Sequence, residues 1–214
     1  RQTPFVTIDG TDARDFDDAV YAEPRDDGGW RLMVAIADVS HYVRSQSALD
    51  QEARLRGNSV YFPDRVVPML PETISNDLCS LRPHEDRAAM VAEIFIDKDG
   101  QRQSYHIERA MIRSHARLTY DQAQAVYDGT LDEADCEVPH GTLHALFGAW
   151  RALTVDRNKR APLTLDLKER RVIMAENNTP LRIEQRPQNE AQRLIEDFMI
   201  AANVAAADRL IGAN

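Results

Sequence analysis

The sequence lacks long hydrophobic runs and contains few cysteines. No stretch of about 18 consecutive apolar residues occurs in the 214 residues, so there is no candidate for a membrane-spanning helix. Two cysteines, Cys79 and Cys136, are too few for a disulfide framework, and their spacing matches no zinc site. The first residues contain neither a signal peptide nor an initiating Met. We therefore expect a fragment of a soluble, cytoplasmic protein that has no contact with a membrane.

Basic residues are also in short supply, because 26 Lys and Arg face 35 Asp and Glu, for a net charge of −9. Composition alone argues against a nucleic-acid partner, since phosphate binding usually depends on a basic surface. The acidic excess is local, however: residues 9–27 contain eight acidic and two basic side chains. Carboxylates at this density form either a solvated loop or a site neutralised by a divalent cation, and the pattern leaves both open.

Turn and capping signals predict one domain of mixed strands and helices. Apolar runs flank tight-turn sequences at residues 26–29 (DDGG) and 97–100 (DKDG), which predicts two antiparallel hairpins. Helices are predicted at residues 47–56, 119–127, 141–159 and 189–210, and a further strand at residues 162–174. Prolines in residues 61–71 exclude a helix interior and a central strand there. The expected fold class is α+β, with a mixed, largely antiparallel sheet and packed helices.

The most informative stretch is the group of carboxylates near the start of the chain. In an extended backbone, the period of two places Asp15 and Asp17 on one side and Phe16 on the other, and a bend at Gly10 would return Asp9 toward them. Three or four carboxylates could then converge on one or two Mg²⁺ ions. Two such ions about 4 Å apart stabilise the attacking and leaving oxygens in phosphodiester hydrolysis. The alternative is a solvated acidic turn, and the EF-hand template does not fit.

Residues 8–19 (IDGTDARDFDDA) resemble the active-site signature of the RNB domain, the catalytic domain of the ribonuclease II and ribonuclease R family. Further segments that match this family in the same order are residues 34–43 (VAIADVSHYV), 56–63 (RGNSVYFP), 68–71 (PMLP), 78–81 (LCSL), 118–123 (LTYDQA) and 194–203 (LIEDFMIAAN). The resemblance implies a processive, metal-dependent, hydrolytic 3′-to-5′ exoribonuclease. It further implies that single-stranded RNA is the substrate, that nucleoside 5′-monophosphates are released, that Mg²⁺ or Mn²⁺ is the cofactor, and that the role is RNA turnover.

The resemblance also assigns roles to individual residues. The positions that match the four family aspartates are Asp9, Asp15, Asp17 and Asp18. All four are implied metal ligands, with Asp9 and Asp18 assigned chiefly to Mg²⁺ binding. Asp17 matches the residue whose loss abolishes cleavage, and Asp15 is the second catalytic candidate. The positions implied to bind RNA are Tyr61, Tyr120, Glu196 and Leu165.

Simpler interpretations of the RNA-binding positions stay open. Tyr61 is implied to stack on the terminal base, but it could pack on the neighbouring prolines. Tyr120 is implied in discrimination between ribose and deoxyribose, but it could be a core residue. Glu196 is implied near the 3′-terminal ribose, but it could lie on a solvated helix face. Leu165 stands where the family has a second base-clamping aromatic, so we expect apolar contact in place of ring stacking.

By resemblance, residues 1–214 are an incomplete RNB catalytic domain without the flanking cold-shock and S1 domains. The remaining RNB portion and those domains of a parent chain are the expected partners, beside single-stranded RNA. A catalytically inactive RNB-like module for RNA binding or scaffolding is the alternative, and loss of an aspartate would favour it; all four are present. A DNA nuclease is disfavoured by the resemblance alone, because carboxylate clusters do not distinguish sugars.

Overall fold

The computed structural model describes residues 2–11, 13–159, 169–175, 179–186 and 188–213. Within these ranges the chain forms ten strands and five helices. In chain order they are β1 (Val6–Asp9), β2 (Asp18–Pro24), β3 (Trp30–Ala37), α1 (Val39–Tyr42), α2 (Ala48–Arg56), β4 (Val60–Tyr61), β5 (Val66–Val67), β6 (Asp86–Ile96), β7 (Arg102–Arg113), β8 (Ala116–Thr119), α3 (Tyr120–Tyr127), α4 (Thr142–Lys159), β9 (Glu169–Met174), β10 (Pro180–Arg186) and α5 (Glu190–Ile211). A π-helical turn, Ile74–Leu78, and a 3₁₀ turn, Glu133–Cys136, connect some of these elements.

Six strands form the main sheet in the order β7-β6-β3-β2-β1-β8. All neighbouring pairs are antiparallel except β1 and β8, which are parallel. The two hairpins predicted from turn sequences are confirmed as β2–β3 and β6–β7. Gly28 and Gly100 in their turns both have φ +81°, a conformation that glycine adopts without the steric penalty of a Cβ atom. The predicted α+β class with a largely antiparallel sheet is therefore confirmed.

Both faces of the sheet carry buried side chains. Helices α3, α4 and α5 cover one face, where Leu32 and Ile94 of the sheet belong to the same core as Leu146 and Phe198 of the helices. The irregular segment 68–81 supplies Leu70, Ile74, Cys79 and Leu81 to a second, smaller core on the other face. The sheet is thereby fixed from two sides, which gives the strand ends at its edges a rigid support.

Capping interactions explain where the helices begin. The Ser47 hydroxyl accepts a hydrogen bond from the Asp50 N–H at the start of α2, and Gly57 follows its last residue. Thr119 and Asn189 form capping boxes at the starts of α3 and α5. These three helices begin one residue after the predicted ranges, since the first predicted residue is the cap. The predicted helix at 141–159 is confirmed as α4.

Two small ribbons lie outside the main sheet. Strands β4 and β5 pair with each other in the proline-rich stretch and lie outside the main sheet, which agrees with the exclusion of a central strand there; the pair itself was not predicted. Strands β9 and β10 form the second ribbon. The strand predicted at 162–174 is confirmed for residues 169–174, and residues 162–168 lie outside the described residues. In the described part of the chain, no helix combines the length and apolar character needed to cross a membrane.

Candidate active site

Strand direction brings residues from distant parts of the sequence together at one end of the strands of the main sheet. Strand β1 ends at Asp9, which is paired in register with Thr119 at the end of the parallel strand β8. Helix α3 begins there with Tyr120. Strand β2, which is antiparallel to β1, begins at the same end with Asp18, opposite Ile36 of β3. Sheet topology therefore places Asp9, Asp18 and Tyr120 at the same end of the strands of the main sheet.

The loop between Asp9 and Asp18 is held by backbone hydrogen bonds from other segments. The Leu81 N–H donates to the Phe16 carbonyl at 2.7 Å, and the Ala37 N–H donates to the Asp17 carbonyl at 2.8 Å. At the start of the loop, the Gly10 N–H donates to Asp9 Oδ1 at 2.6 Å. The described loop residues therefore have defined backbone positions, which a solvated acidic turn would not require.

The alternation predicted for residues 15–17 is confirmed. Phe16 is buried, whereas Asp15 is half-buried and Asp17 is exposed. The Arg117 guanidinium lies 4.2 Å from the centre of the Phe16 ring and also donates to the Ala13 carbonyl. Phe16 thus anchors the loop in the protein, and the two flanking carboxylates are left facing outward.

Burial and mutual repulsion raise the pKa values of two aspartates in this loop. For Asp18, burial is the largest cause and the negative charges of Asp17 and Asp9 add to it, so that the pKa rises to about 7. For Asp17, crowding by protein atoms raises the pKa although the residue reaches solvent, and the charges of Asp15 and Asp9 raise it further. The four aspartates therefore lie close enough to interact electrostatically.

The donor groups of this acidic cluster, which we define as Asp9, Asp15, Asp17 and Asp18, fit a divalent cation. The Oδ2 atom of Asp18 is buried and has no hydrogen-bond partner among the residues that the structure describes. An ionised oxygen in that position is costly unless a positive charge compensates it, and carboxylate oxygens are the ligands that Mg²⁺ prefers. Among the described residues, no three His, Cys, Asp or Glu side chains are arranged to hold a metal ion as they stand. Binding of a divalent cation would therefore require the carboxylate groups to move closer to one another.

Tyr61 lies beside the acidic cluster, as the resemblance implied. Its hydroxyl donates to Asp15 Oδ2 at 3.2 Å, although the two residues are far apart in the sequence. The side chain stays 66% exposed. Partial removal from water and the negative charge of Asp15 raise the pKa of the phenol, so Tyr61 remains a neutral hydrogen-bond donor. An exposed ring held by its hydroxyl at a carboxylate is available for stacking.

The other implied RNA-binding residues are less closely tied to the cluster. Tyr120 is at the right end of the strands but is partly buried and packs against the core, so both of its interpretations remain predictions. Glu196 is exposed on α5 and accepts a hydrogen bond from Gln188 Nε2 at 2.9 Å. Leu165 lies outside the described residues. The role of each in RNA binding stays a prediction.

Three polar residues with specific contacts in this region of the fold, Ser80, Asp38 and Arg117, were not identified from the sequence. Ser80 is completely buried and its hydroxyl bonds to the backbone of the acidic loop. Asp38 is buried at the end of β3, where it accepts a hydrogen bond from the Ser40 hydroxyl and pairs with Arg109. A polar residue directly after a buried strand could have signalled Asp38. Arg117 gave no local signal, because its contacts depend on the pairing of β1 with β8.

The chain belongs to the RNB domain family, whose model matches residues 1–214. Its curated relatives include ribonuclease R of Vibrio parahaemolyticus, 48% identical over 97% of this chain, and ribonuclease R of Escherichia coli, 47% identical over the same share. These matches cover 25% and 26% of the two relatives, so the chain spans about a quarter of their length. The relatives are thus ribonucleases, and the sequence resemblance to this family is confirmed.

A solved structure confirms the fold. RNase R of Mycoplasma genitalium in complex with ribose-methylated single-stranded RNA is 36% identical and superimposes with a TM-score of 0.94. The similarity covers 99% of this chain and 33% of that one. The mixed sheet with packed helices described above is therefore the architecture of an RNB domain.

Proposed function

We propose that this chain carries the catalytic residues of a metal-dependent 3′-to-5′ exoribonuclease that hydrolyses single-stranded RNA processively and releases nucleoside 5′-monophosphates. The observation that carries the proposal is the acidic cluster, in which Asp18 presents a buried carboxylate oxygen that has no partner in the described part of the chain. Membership of the RNB family and the ribonuclease R relatives support the same activity. A role in RNA turnover follows from such an activity.

Asp9 and Asp18 are the residues that would chiefly hold Mg²⁺ or Mn²⁺, with Asp15 and Asp17 completing the set. When bound, the cation supplies Lewis-acid stabilisation of the charge that develops on the phosphate and lowers the pKa of the attacking water. Asp17, the exposed member, would accept a hydrogen bond from the attacking water. Hydrolysis joins the water oxygen to the phosphorus of the last phosphodiester and breaks its bond to the preceding 3′ oxygen, which takes up a proton.

Tyr61 would hold the 3′-terminal nucleotide against the cluster. Its exposed ring offers a stacking surface, which tolerates every base because each base has a π-face. The hydrogen bond from its hydroxyl to Asp15 keeps the ring next to the carboxylates. The complex of the Mycoplasma relative with single-stranded RNA supports RNA as the substrate class. Tyr120, Glu196 and Leu165 are proposed to contact the terminal nucleotides.

A catalytically inactive RNB-like module for RNA binding or scaffolding remains the second candidate. The presence of all four aspartates favours the enzyme, since a binding module has no need to keep a costly buried carboxylate such as Asp18. We further propose that additional RNB, cold-shock and S1 segments of the kind expected from the family assist RNA binding. A reducing, cytoplasmic compartment is also proposed, and the free, buried Cys79 and Cys136 are consistent with it.

The experiment is a time course with 5′-labelled single-stranded RNA and Mg²⁺, using the protein as its gene encodes it. The Asp17→Asn variant is compared in parallel, because it keeps the side-chain shape and removes the charge that the cation and transition state require. We expect a ladder that shortens from the 3′ end with the wild type and intact RNA with the variant. Product chromatography should show nucleoside 5′-monophosphates.

The matched control is Asp26→Asn, which removes an exposed aspartate in the β2–β3 turn, away from the cluster. It should degrade RNA as the wild type does. RNA that is bound but left intact by the wild type would establish the binding module instead. Equal degradation of a DNA strand of the same sequence would contradict RNA specificity, and degradation after removal of divalent ions by EDTA would contradict metal dependence.

A further inference from the structure

Ser80 is a buried polar residue that the proposed chemistry does not use. It follows the π-helical turn Ile74–Leu78, and none of its surface is exposed to solvent. Buried hydroxyl groups are retained where they satisfy specific partners, because an unsatisfied one is costly. The partners of Ser80 therefore indicate what it does.

Both partners of the Ser80 hydroxyl are backbone atoms of the acidic loop. Its Oγ atom accepts a hydrogen bond from the Phe16 N–H at 3.2 Å and donates one to the Arg14 carbonyl, also at 3.2 Å. A serine hydroxyl has one donor and two acceptor sites, so it makes both bonds at once. These two backbone groups flank Asp15. One side chain thus fixes the peptide units on either side of a cluster carboxylate.

The residue after Ser80 continues the same support. The Leu81 N–H donates to the Phe16 carbonyl at 2.7 Å, directly before Asp17. Together Ser80 and Leu81 make three hydrogen bonds to the segment from Arg14 to Phe16. Asp9 and Asp18 belong to β1 and β2, and the Asp17 carbonyl is bonded to Ala37 of β3. Ser80 and Leu81 therefore act as a template for Asp15 and for the peptide unit that leads from it to Asp17.

Arg87, a residue of the main sheet, holds Ser80 in place through hydrogen bonds. Arg87 of β6 donates through Nε to the Ser80 carbonyl at 2.9 Å and to the Asp77 carbonyl at 3.2 Å. Its side chain is only 12% exposed, so the guanidinium is held in place by the surrounding protein. Contacts therefore run without a break from β6, through Arg87 and Ser80, to the backbone beside Asp15 and Asp17.

We propose that Ser80 is a positioning residue of the RNB site, which sets divalent-cation affinity by fixing the loop that carries Asp15 and Asp17. This inference rests on the proposed metal-dependent function. Partners that orient metal ligands change metal affinity or activity by about 10- to 100-fold when they are removed. Ser80→Ala removes both hydrogen bonds and leaves every carboxylate in the chain. We expect it to weaken Mn²⁺ binding about tenfold or more.

The test measures Mn²⁺ affinity by titration calorimetry on the protein as its gene encodes it, without RNA. Thermal unfolding with and without Mn²⁺ is the second readout. The matched control is Ser114→Ala. Ser114 is 2% exposed, and its hydroxyl shares its single proton between the backbone carbonyls of Phe5 and Ala116, at the other end of β1. Both variants should lose stability, and only Ser80→Ala should lose Mn²⁺ affinity.

The outcomes separate this inference from the proposed function. If the wild type binds no Mn²⁺, the metal-dependent function fails with it. If the wild type binds Mn²⁺ and Ser80→Ala binds it equally well, or Ser114→Ala loses as much affinity, only the positioning role is overturned. Should Ser80→Ala fail to fold, Arg87→Gln decides, because it loosens the Ser80 carbonyl and leaves the hydroxyl in place. Weakened Mn²⁺ binding by Arg87→Gln supports the inference, and unchanged binding overturns it.

Discussion

Replacement of Asp18 by Asn should stabilise the protein at alkaline pH when no divalent cation is present. The carboxyl group has a pKa of about 7 in the folded chain against 3.8 ordinarily, because burial and the neighbouring aspartates disfavour its charge. A raised carboxyl pKa means that the folded state binds more protons than the unfolded state between these two values. The contribution of Asp18 to the free energy of unfolding is therefore fully present below about pH 4 and is lost as the pH rises through about 7.

The size of this destabilisation follows from the difference between the pKa of Asp18 in the folded chain and its ordinary value. About three pKa units at about 1.36 kcal/mol each give a destabilisation of about 4 kcal/mol above pH 7. Asn removes this charge but introduces a buried amide with incomplete hydrogen bonding, at a cost of about 1–3 kcal/mol. The expected net gain for Asp18→Asn is about 2 kcal/mol at pH 8, which raises Tm by about 4–8 °C for a chain of this length. At pH 4 the gain should vanish or become a small loss.

The assay is thermal unfolding in EDTA across pH 4 to 8, followed by the same series with Mg²⁺. A cation at 100 times its Kd should stabilise the wild type by about 2.7 kcal/mol and Asp18→Asn by much less. Asp26→Asn, which removes an exposed charge, should track the wild type throughout. A loss of stability in Asp18→Asn that is the same at every pH would refute the reasoning. It would show that the ionised Asp18 carboxylate does not destabilise the folded protein.

Three further substitutions test interactions elsewhere in the fold, each by urea unfolding. Glu133→Ala removes a buried carboxylate that accepts backbone N–H groups at the start of α4, and should lower the free energy of unfolding by about 2–4 kcal/mol. Gly100→Ala should cost about 2 kcal/mol or more, because φ is +81° and the new Cβ atom would lie 2.1 Å from the Ala152 carbonyl oxygen. Arg157→Leu should cost about 3 kcal/mol, because it leaves Asp197, 7% exposed, without its cationic partner.

Each of these has a comparison that can contradict it. Gly28→Ala meets nothing within 4 Å at the same φ and should cost only about 1 kcal/mol, so an equal loss would show that the close approach at Gly100 is unimportant. Glu133→Gln keeps an acceptor and should lose less than Glu133→Ala. The double variant of Arg157 and Asp197 to Leu should be more stable than Arg157→Leu alone. The reverse order would mean that the buried charge is not the cause.

Local signals predicted most of the fold because each of them is complete within a few residues. The hairpin turns at Gly28 and Gly100 and the caps Ser47, Thr119 and Asn189 need no knowledge of the rest of the chain. The inward direction of Phe16 followed from backbone alternation alone. Segments of this kind were predicted to within about a residue or two, which is the usual uncertainty of element ends.

Features that depend on distant contacts were not predictable in the same way. Strand β8 has four residues and is defined by its parallel pairing with β1, which no local pattern announces. The two-stranded β4–β5 pair was not predicted, because the prolines near it argue against regular secondary structure. Ser80 lies 64 positions from Phe16, and only the folded chain shows that its hydroxyl reaches the loop. The acidic cluster could be read from the sequence, whereas the residues that support it could not.

The parallel pairing of β1 with β8 has a consequence for how the protein is made. Asp9 meets Thr119 only after more than a hundred residues have been synthesised, and the closure of so long a loop is slow compared with the formation of a hairpin. A nascent chain that has exposed only its aspartates therefore lacks one side of the site. This end of the strands is therefore completed later than the β2–β3 hairpin, whose two strands follow each other directly in the sequence.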